Sequence, residues 1–427
     1  MDCCSSENPL FHSTHLSLMW STYADSHEGN DCDDKASTDI NLLYHEAGLE
    51  ESHTSFSPIR HIVSARLNNG ERSDFDSPPP GRNYTYIEPN ENFGIAKKTY
   101  LIGDRDSLSK NREFSLKTHI AKIEFVYSKD KSRSVRRSKG RTIWMKEFDK
   151  FDFKKFSDRK ILVLIHGFTV DYNGALKTLG RVAENIGHIY DIVIGYLYPA
   201  YAKPHEYARA EQNAIYAGKK RLPHIIASIQ SVAKHLDIAA HSMGTIVAMH
   251  ALNQSAIRYV NNLFLAGGVV GEKNILCEGE ECKAFPYALS KVGKIYVLYS
   301  CKDEILPWLR FFHSEQPAGR LDSAVQQMPI AKNVCLINAT SVVKSHSGYF
   351  KSEEVFKFFK LVAHHNDQNA QLEGAYFSLT PKGLSFVERP IICSKGTNGF
   401  ITVGLFFKKM ASFKLGQKGK ERDQRKD

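Results

Sequence analysis

The sequence predicts an α/β fold, a mostly parallel central sheet flanked by helices, and three observations predict it. Short β-branched runs alternate with helical patterns between Lys160 and Ala363. Each run is five to seven residues long and nearly all apolar, as strands buried on both faces are. The strand, helix, strand spacing suits right-handed crossovers.

The elements follow in order. Residues 1–95 are rich in Ser, Asn, Asp and His, carry turn clusters such as Ser77-Pro78-Pro79-Pro80-Gly81 and show no sustained periodicity, so a largely disordered N-terminal region is expected. Lys98 to Ile102 and Ile120 to Tyr127 read as the first strands or an edge hairpin. The domain proper is expected over 96–365. Its strands are Lys160 to Ile165, Asp191 to Leu197, Leu236 to Ala240, Asn262 to Ala266, Lys294 to Tyr299 and Asn333 to Ile337. Helices are expected at Asn173 to Ile186, Pro204 to Lys234, Gly244 to Asn253, Lys283 to Ser290 and Ser352 to Ala363. Tyr198 to Tyr216 reads either as a lid or as an amphipathic helix covering the sheet. Residues 366–427, with strand-like pieces at Gly374 to Leu379 and Gly399 to Phe407, form a C-terminal extension that the core does not require.

Hydrophobic residues make up 42% and charged residues 24% of the 427, enough to bury a sizeable core. The net charge of +10 hides an asymmetry: residues 1–59 hold eleven Asp or Glu against Lys35, a net −10. Lys129 to Arg141 carries +6 and Lys408 to Asp427 carries +5; neither has an apolar stripe, so solvated faces or tails are expected. A weak contact of these segments with an anionic membrane stays open, and the lack of interleaved aromatics argues against nucleic acid.

Eight scattered cysteines do not form a dense framework, and reduced thiols are expected. Cys277 and Cys282 flank an acidic loop without a second Cys or His pair nearby, so neither metal nor cofactor is expected. Met1-Asp2-Cys3-Cys4 opens without a basic or apolar leader, and no apolar stretch approaches the length of a membrane span. A cytoplasmic location is the expectation, with specialised secretion left open.

Chemistry concentrates in Leu236 to His250, where a buried strand, His241-Ser242-Met243-Gly244 and an apolar helix follow one another. So tight a strand-to-helix turn demands small residues two before and two after the serine, and Ala240 and Gly244 satisfy it. Ser242 is the candidate nucleophile, although a serine before a helix also serves as a plain N-cap. The strand ending in His166-Gly167-Phe168 suits an oxyanion loop, with Gly167 allowing close approach. The backbone N–H groups of Phe168 and Met243 are its candidate donors. His166 and His241 read as packing or hydrogen-bonding histidines. His346, in a polar loop after the last strand, is the candidate base, because an imidazole can take and return a proton near neutral pH. Asp303, four residues past the preceding strand, is the candidate acid that orients it, with Glu304 as understudy. Asp303 lies 61 residues after Ser242, and His346 lies 43 after Asp303.

From Lys160 to Phe359 these motifs resemble the α/β-hydrolase superfamily, and within it a mostly bacterial serine-hydrolase-like family of unassigned substrate. The resemblance rests on His166-Gly167-Phe168, Ala240-His-Ser-Met-Gly244, Asp303 and His346-Ser-Gly-Tyr-Phe350. It implies a Ser242, Asp303, His346 triad. That family tends to carry a Trp-Pro-Ser turn with a downstream Tyr and Asp; here stand Tyr198-Pro199-Ala200, Tyr207 and Glu211. The expected activity is cleavage of a carboxylic ester or thioester through an acyl-serine. The alternatives are a silent binding module of the same fold and a lipid hydrolase working at a membrane surface. Nothing in the sequence decides the oligomeric state.

Overall fold

The computed structural model describes residues 83–84, 98–105, 113–129, 136–201, 203–276, 284–309, 316–321, 330–367 and 376–393. The strands among them are β1 (Asn83–Tyr84), β2 (Lys98–Arg105), β3 (Phe114–Lys129), β4 (Arg136–Glu147), β5 (Lys160–Ile165) and β6 (Ile192–Leu197). They continue with β7 (His235–His241), β8 (Val260–Ala266), β9 (Val292–Tyr299), β10 (Val334–Asn338), β11 (Tyr376–Thr380) and β12 (Gly383–Phe386). All lie in one sheet of order β1-β12-β11-β10-β9-β8-β7-β5-β6-β2-β3-β4. From β2 through β11 every neighbouring pair in this order is parallel, while β3 and β4 at one edge and β12 and β1 at the other are antiparallel.

The helices are α1 (Tyr172–Ile186), α2 (Tyr207–Tyr216), α3 (Leu222–Gln230), α4 (Gly244–Leu252), α5 (Lys273–Leu276), α6 (Leu306–Leu309) and α7 (Glu353–Asp367). Alternate strand residues feed two apolar layers, as the period of two requires. Val163, Ile165, Ile238 and Ala240 face α3 and α4, whereas Leu162, Leu164 and Ala239 face α1 and α7. Helix α1 starts where Asp171 accepts the Gly174 N–H at 2.7 Å. Its Leu176, Leu179, Val182 and Ile186 recur at helical spacing on the buried side. Each such side chain contributes roughly 1.5–3 kcal/mol by leaving water. Helix α4 is buried nearly all round, from Gly244 to Met249, and sits directly under the sheet.

Chain order reverses between β5 and β7, because β6 lies on one side of β5 and β7 on the other. Crossovers leave such a point on opposite faces, so a crevice opens at the carboxyl ends of these two strands. The base of β7 is pinned by buried Asp237, which accepts from Tyr190 Oη at 2.7 Å and from Asn262 N and Nδ2, both at 2.9 Å.

Several expectations are revised. The described part of Lys129 to Arg141 is strand, not tail: β3 and β4 form an antiparallel ribbon paired from His119–Glu147 to Lys129–Arg136, and Arg141 on it is solvated as expected. Strand β4 was not legible, because alternation of basic with small residues resembles a solvated face until a partner strand is present. The helix expected from Pro204 to Lys234 is broken by one wide turn, Ala217–Arg221, ahead of Pro223, which has no N–H to donate. Between Ala284 and Lys291 only turns and a short 3₁₀ segment, Leu289–Lys291, are found. The sheet does not stop at residue 365: β11 pairs parallel with β10, and Phe377 and Leu379 are fully buried. Nor are all thiols reduced, since Cys301 and Cys393 form a disulfide across 92 residues. The chain after β12 returns to the loop after β9, where Cys393 N donates to Leu321 O at 2.9 Å, a proximity that spacing in sequence does not report. The remaining described cysteine, Cys335, is a buried thiol pushed up to about 11 by its apolar surroundings. The N-terminal region apart from Asn83–Tyr84, the pair Cys277 and Cys282, Gly399 to Phe407 and the basic tail lie outside the described residues.

Candidate active site

Strand β7 ends at His241, and the next residue, Ser242, has φ of +54°. A left-handed conformation costs a non-glycine residue roughly 1–2 kcal/mol, and here it turns the chain from strand to helix within two residues. The turn is held on both sides. Ser242 N donates to Ala266 O at 3.0 Å, while Thr245 Oγ1 donates to Ser242 O at 2.7 Å. A Cβ at position 244 would stand 2.6 Å from His166 O and 2.7 Å from Ile165 O, so only glycine fits where α4 begins. Ala240 is fully buried between its strand partners Ile165 and Leu265.

The loop after β5 passes over the serine. A Cβ at Gly167 would lie 2.8 Å from Ser242 Cβ and 3.3 Å from its Oγ. Phe168 follows, with its ring edge-on to Tyr207 at 5.4 Å, and Met243, wholly buried, heads α4.

His346 opens a 3₁₀ segment, His346–Lys351, after β10. Its Nε2 is 2.7 Å from Ser242 Oγ, and its Nδ1 is 2.8 Å from Asp303 Oδ2. Asp303 is 1% exposed, and its other oxygen accepts from Ile305 N at 3.0 Å and Leu306 N at 3.2 Å, the first turn of α6. Both oxygens are thus committed, and Nδ1 of His346 must carry its proton toward Asp303. The Nε2 lone pair then faces the serine hydroxyl, which donates. Burial opposes the charged form of His346, but Asp303 beside it, helped by Glu304, outweighs this and raises its pKa above 6.5.

Glu304 binds backbone instead of ring: its carboxylate accepts from His346 N at 3.3 Å. His241 and His166 behave as packing and hydrogen-bonding histidines. His241 Nε2 donates to His346 O at 2.8 Å, and burial holds the His241 ring neutral by lowering its pKa to about 3. His166 is stacked on Tyr198 at 4.6 Å and is likewise lowered to about 3 by burial, with the Arg105 cation adding to the effect. Three supporting residues had no sequence signal. Arg320 Nη1 donates to Cys301 O at 2.6 Å and braces the Asp303 loop; Thr245 ties down the serine carbonyl; buried Arg105 reaches the loop after β5. The segment read as lid or cover forms α2, whose Ala210 and Ala214 are fully buried in the layer that holds α4. Glu211 on the same helix is pushed up to about 7 by burial. Among the described residues no cluster of three or more His, Cys, Asp or Glu could hold a metal, and no helix is long and apolar enough to cross a membrane.

The strand order, the reversal between β5 and β7 and the position of Ser242 at the carboxyl end of the central strand are those of the α/β-hydrolase fold. The chain is similar to the family whose model is described as "Alpha/beta hydrolase of unknown function (DUF900)", which matches residues 144–306. That span contains His166, Ser242 and Asp303 and ends before His346. No curated protein matches the chain. Among solved structures it is similar to an esterase of Pyrobaculum calidifontis (13% identity, 58% of this chain and 85% of that one, TM-score 0.29). It is also similar to an acylaminoacyl peptidase of Pyrococcus horikoshii (10% identity, 62% and 48%, TM-score 0.31). A third similarity is to lipase B of Aspergillus fumigatus (13% identity, 50% and 54%, TM-score 0.29).

Proposed function

We propose that this α/β-hydrolase is a serine hydrolase that cleaves carboxylic esters, thioesters included, through an acyl-Ser242 intermediate. One observation carries the reading: an unbroken hydrogen-bond path runs from Ser242 Oγ through both nitrogens of His346 to Asp303, with the serine raised on a strained turn. Solvated serines have no use for such an arrangement.

In the reaction His346 Nε2 takes the Ser242 proton as Oγ bonds to the acyl carbon. The carbonyl oxygen becomes an oxyanion, which the Phe168 and Met243 N–H groups receive. The imidazolium, stabilised by Asp303, returns its proton to the departing alkoxide or thiolate as the tetrahedral centre collapses. Water, deprotonated by the same nitrogen, then attacks the acyl-enzyme and releases the acid. Each turnover breaks one ester bond and one O–H bond of water, and the serine is regenerated.

A fluorophosphonate probe and a panel of activated esters test this at pH 7 to 8. Labelling and turnover are expected in wild type and lost in Ser242→Ala and His346→Ala. A folded wild type that takes no label overturns the reading in favour of a silent binding module. Contact of the basic β3–β4 ribbon with an anionic membrane is a separate matter. Strand β3 runs from Phe114 beside Arg105 to Lys129, so that ribbon leaves the sheet at the end away from Ser242.

A further inference from the structure

Arg105, at the end of β2, is 2% exposed and belongs to no ion pair among the described side chains, although burial leaves it a cation with a pKa near 10. Its Nε and Nη2 are directed at one place, while the buried Nη1 makes no hydrogen bond among the described residues. Nε donates to Tyr198 O at 2.9 Å, and Nη2 donates to Val170 O at 2.7 Å and faces His166 Nε2 at 3.2 Å. These partners are the two ends of the loop that follows β5 and the turn that follows β6. The second nitrogen of His166, Nδ1, lies 2.8 Å from Gly167 O.

The contacts of His166 with Arg105 and Gly167 favour one tautomer, in competition with the Tyr198 backbone, to which the ring also hydrogen-bonds. A guanidinium can only donate, so Nε2 must accept; a carbonyl can only accept, so Nδ1 must carry the proton. The opposite tautomer would set donor against donor at Arg105 and lone pair against lone pair at Gly167. Fixing Gly167 O also fixes the next N–H. The peptide between Gly167 and Phe168 is planar and trans, so its carbonyl and its N–H point in opposite directions. With the carbonyl drawn back to the His166 ring, the Phe168 N–H is turned to the other side of a loop that overlies Ser242.

We propose that Arg105 and His166 form a positioning relay: Arg105 selects the His166 tautomer, His166 holds the Gly167 carbonyl, and the Phe168 N–H is thereby aimed at the oxygen of the reacting acyl group. The inference rests on the ester-hydrolase reading of Ser242. Neither side chain touches substrate. Loss of the relay leaves substrate binding intact and weakens stabilisation that exists only once the oxyanion forms.

The experiment compares full-length wild type with His166→Asn, His166→Gln and Arg105→Met on p-nitrophenyl acetate. The side-chain N–H of Asn stands near the place of Nδ1, whereas that of Gln extends toward the place of Nε2. His166→Asn is expected to keep kcat within about tenfold, and His166→Gln to lose about 10²- to 10³-fold, the scale of one oxyanion donor. KM is expected to stay within about threefold, the acid limb of the pH profile to stay in place, and Ki for a trifluoromethyl ketone to rise as kcat falls. Arg105→Met is expected to lower kcat at least about tenfold in the same manner. If it fails to melt cooperatively, the Asn and Gln pair decides, together with the nitrogen NMR shifts of wild-type His166, which should show a neutral ring protonated at Nδ1. Equal activity of the Asn and Gln variants, or a proton on Nε2, overturns the relay while wild-type turnover upholds the ester reading. A wild type that neither labels at Ser242 nor turns over overturns the ester reading, and the relay with it.

Discussion

Gly167 crosses Ser242 so closely that a single added carbon would stand 2.8 Å from the serine Cβ. The two residues are adjacent because β5 and β7 are neighbours in the sheet although 75 residues separate them in the chain. Such an approach leaves no space for a side chain between the loop and the serine.

Gly167→Ala should therefore displace the loop or the serine. We expect kcat/KM for an activated ester to fall by about 10²-fold or more, equivalent to about 2.7 kcal/mol of lost transition-state stabilisation. Overpacking of this kind costs about 1–3 kcal/mol of stability. Steady-state kinetics beside a thermal melt checks both; wild-type kcat/KM would show that the loop has room to move.

The left-handed turn at Ser242 stores strain that glycine would release. Ser242→Gly and Ser242→Ala both lack the hydroxyl and should both be inactive. The glycine variant is expected to be the more stable of the two by about 1 kcal/mol, because alanine keeps the clash of its Cβ. Denaturant unfolding of the pair gives the difference directly, and an alanine variant of equal or greater stability would remove strain from the description.

Asp303→Asn should leave the loop in place, since Asn can still accept from Ile305 N and Leu306 N, but its amide no longer fixes the imidazole proton on Nδ1. A loss of about 10³- to 10⁴-fold in kcat is expected. The proposed mechanism needs neutral His346, whose pKa is raised, so the wild-type rate should climb with pH through a midpoint above 6.5; the midpoint should drop in Asp303→Asn. Stability runs the other way. A raised folded-state pKa means that the His346–Asp303 pair stabilises the fold fully below about pH 6.5 and loses that contribution as pH rises through the folded value. A pH–rate profile and melts across pH 5 to 8 for both proteins test the pair of signs.

The Cys301–Cys393 disulfide ties the loop that carries Asp303 to the chain beyond β12. Closing so long a span restricts the unfolded chain, and its removal is expected to cost about 2–5 kcal/mol. Cys393→Ser, or wild type in reductant, should melt at lower temperature than oxidised wild type; coincident melts would mean that the bridge contributes nothing.

Much of the site was legible because its demands are local. The turn at Ser242 needs small neighbours within two residues, and Ala240 and Gly244 stand there. The strands from Lys160 to Ile337 declare themselves because burial on both faces leaves no polar alternation. The ribbon of β3 and β4 did not, since each strand acquires its pairing from the other, and basic side chains on an edge read as solvated until the partner is known.

By itself the sequence determined the order of strands and helices, the residues able to occupy the turn at Ser242 and the chain positions from which a base and an acid could come. Tertiary structure decided which distant groups meet: Arg105 with His166, His241 with the His346 carbonyl, Arg320 with the Asp303 loop and Cys301 with Cys393. Steric and conformational preferences act over a few residues and are written in the chain, whereas hydrogen-bond partners 61 and 105 residues apart depend on strand order in the finished sheet.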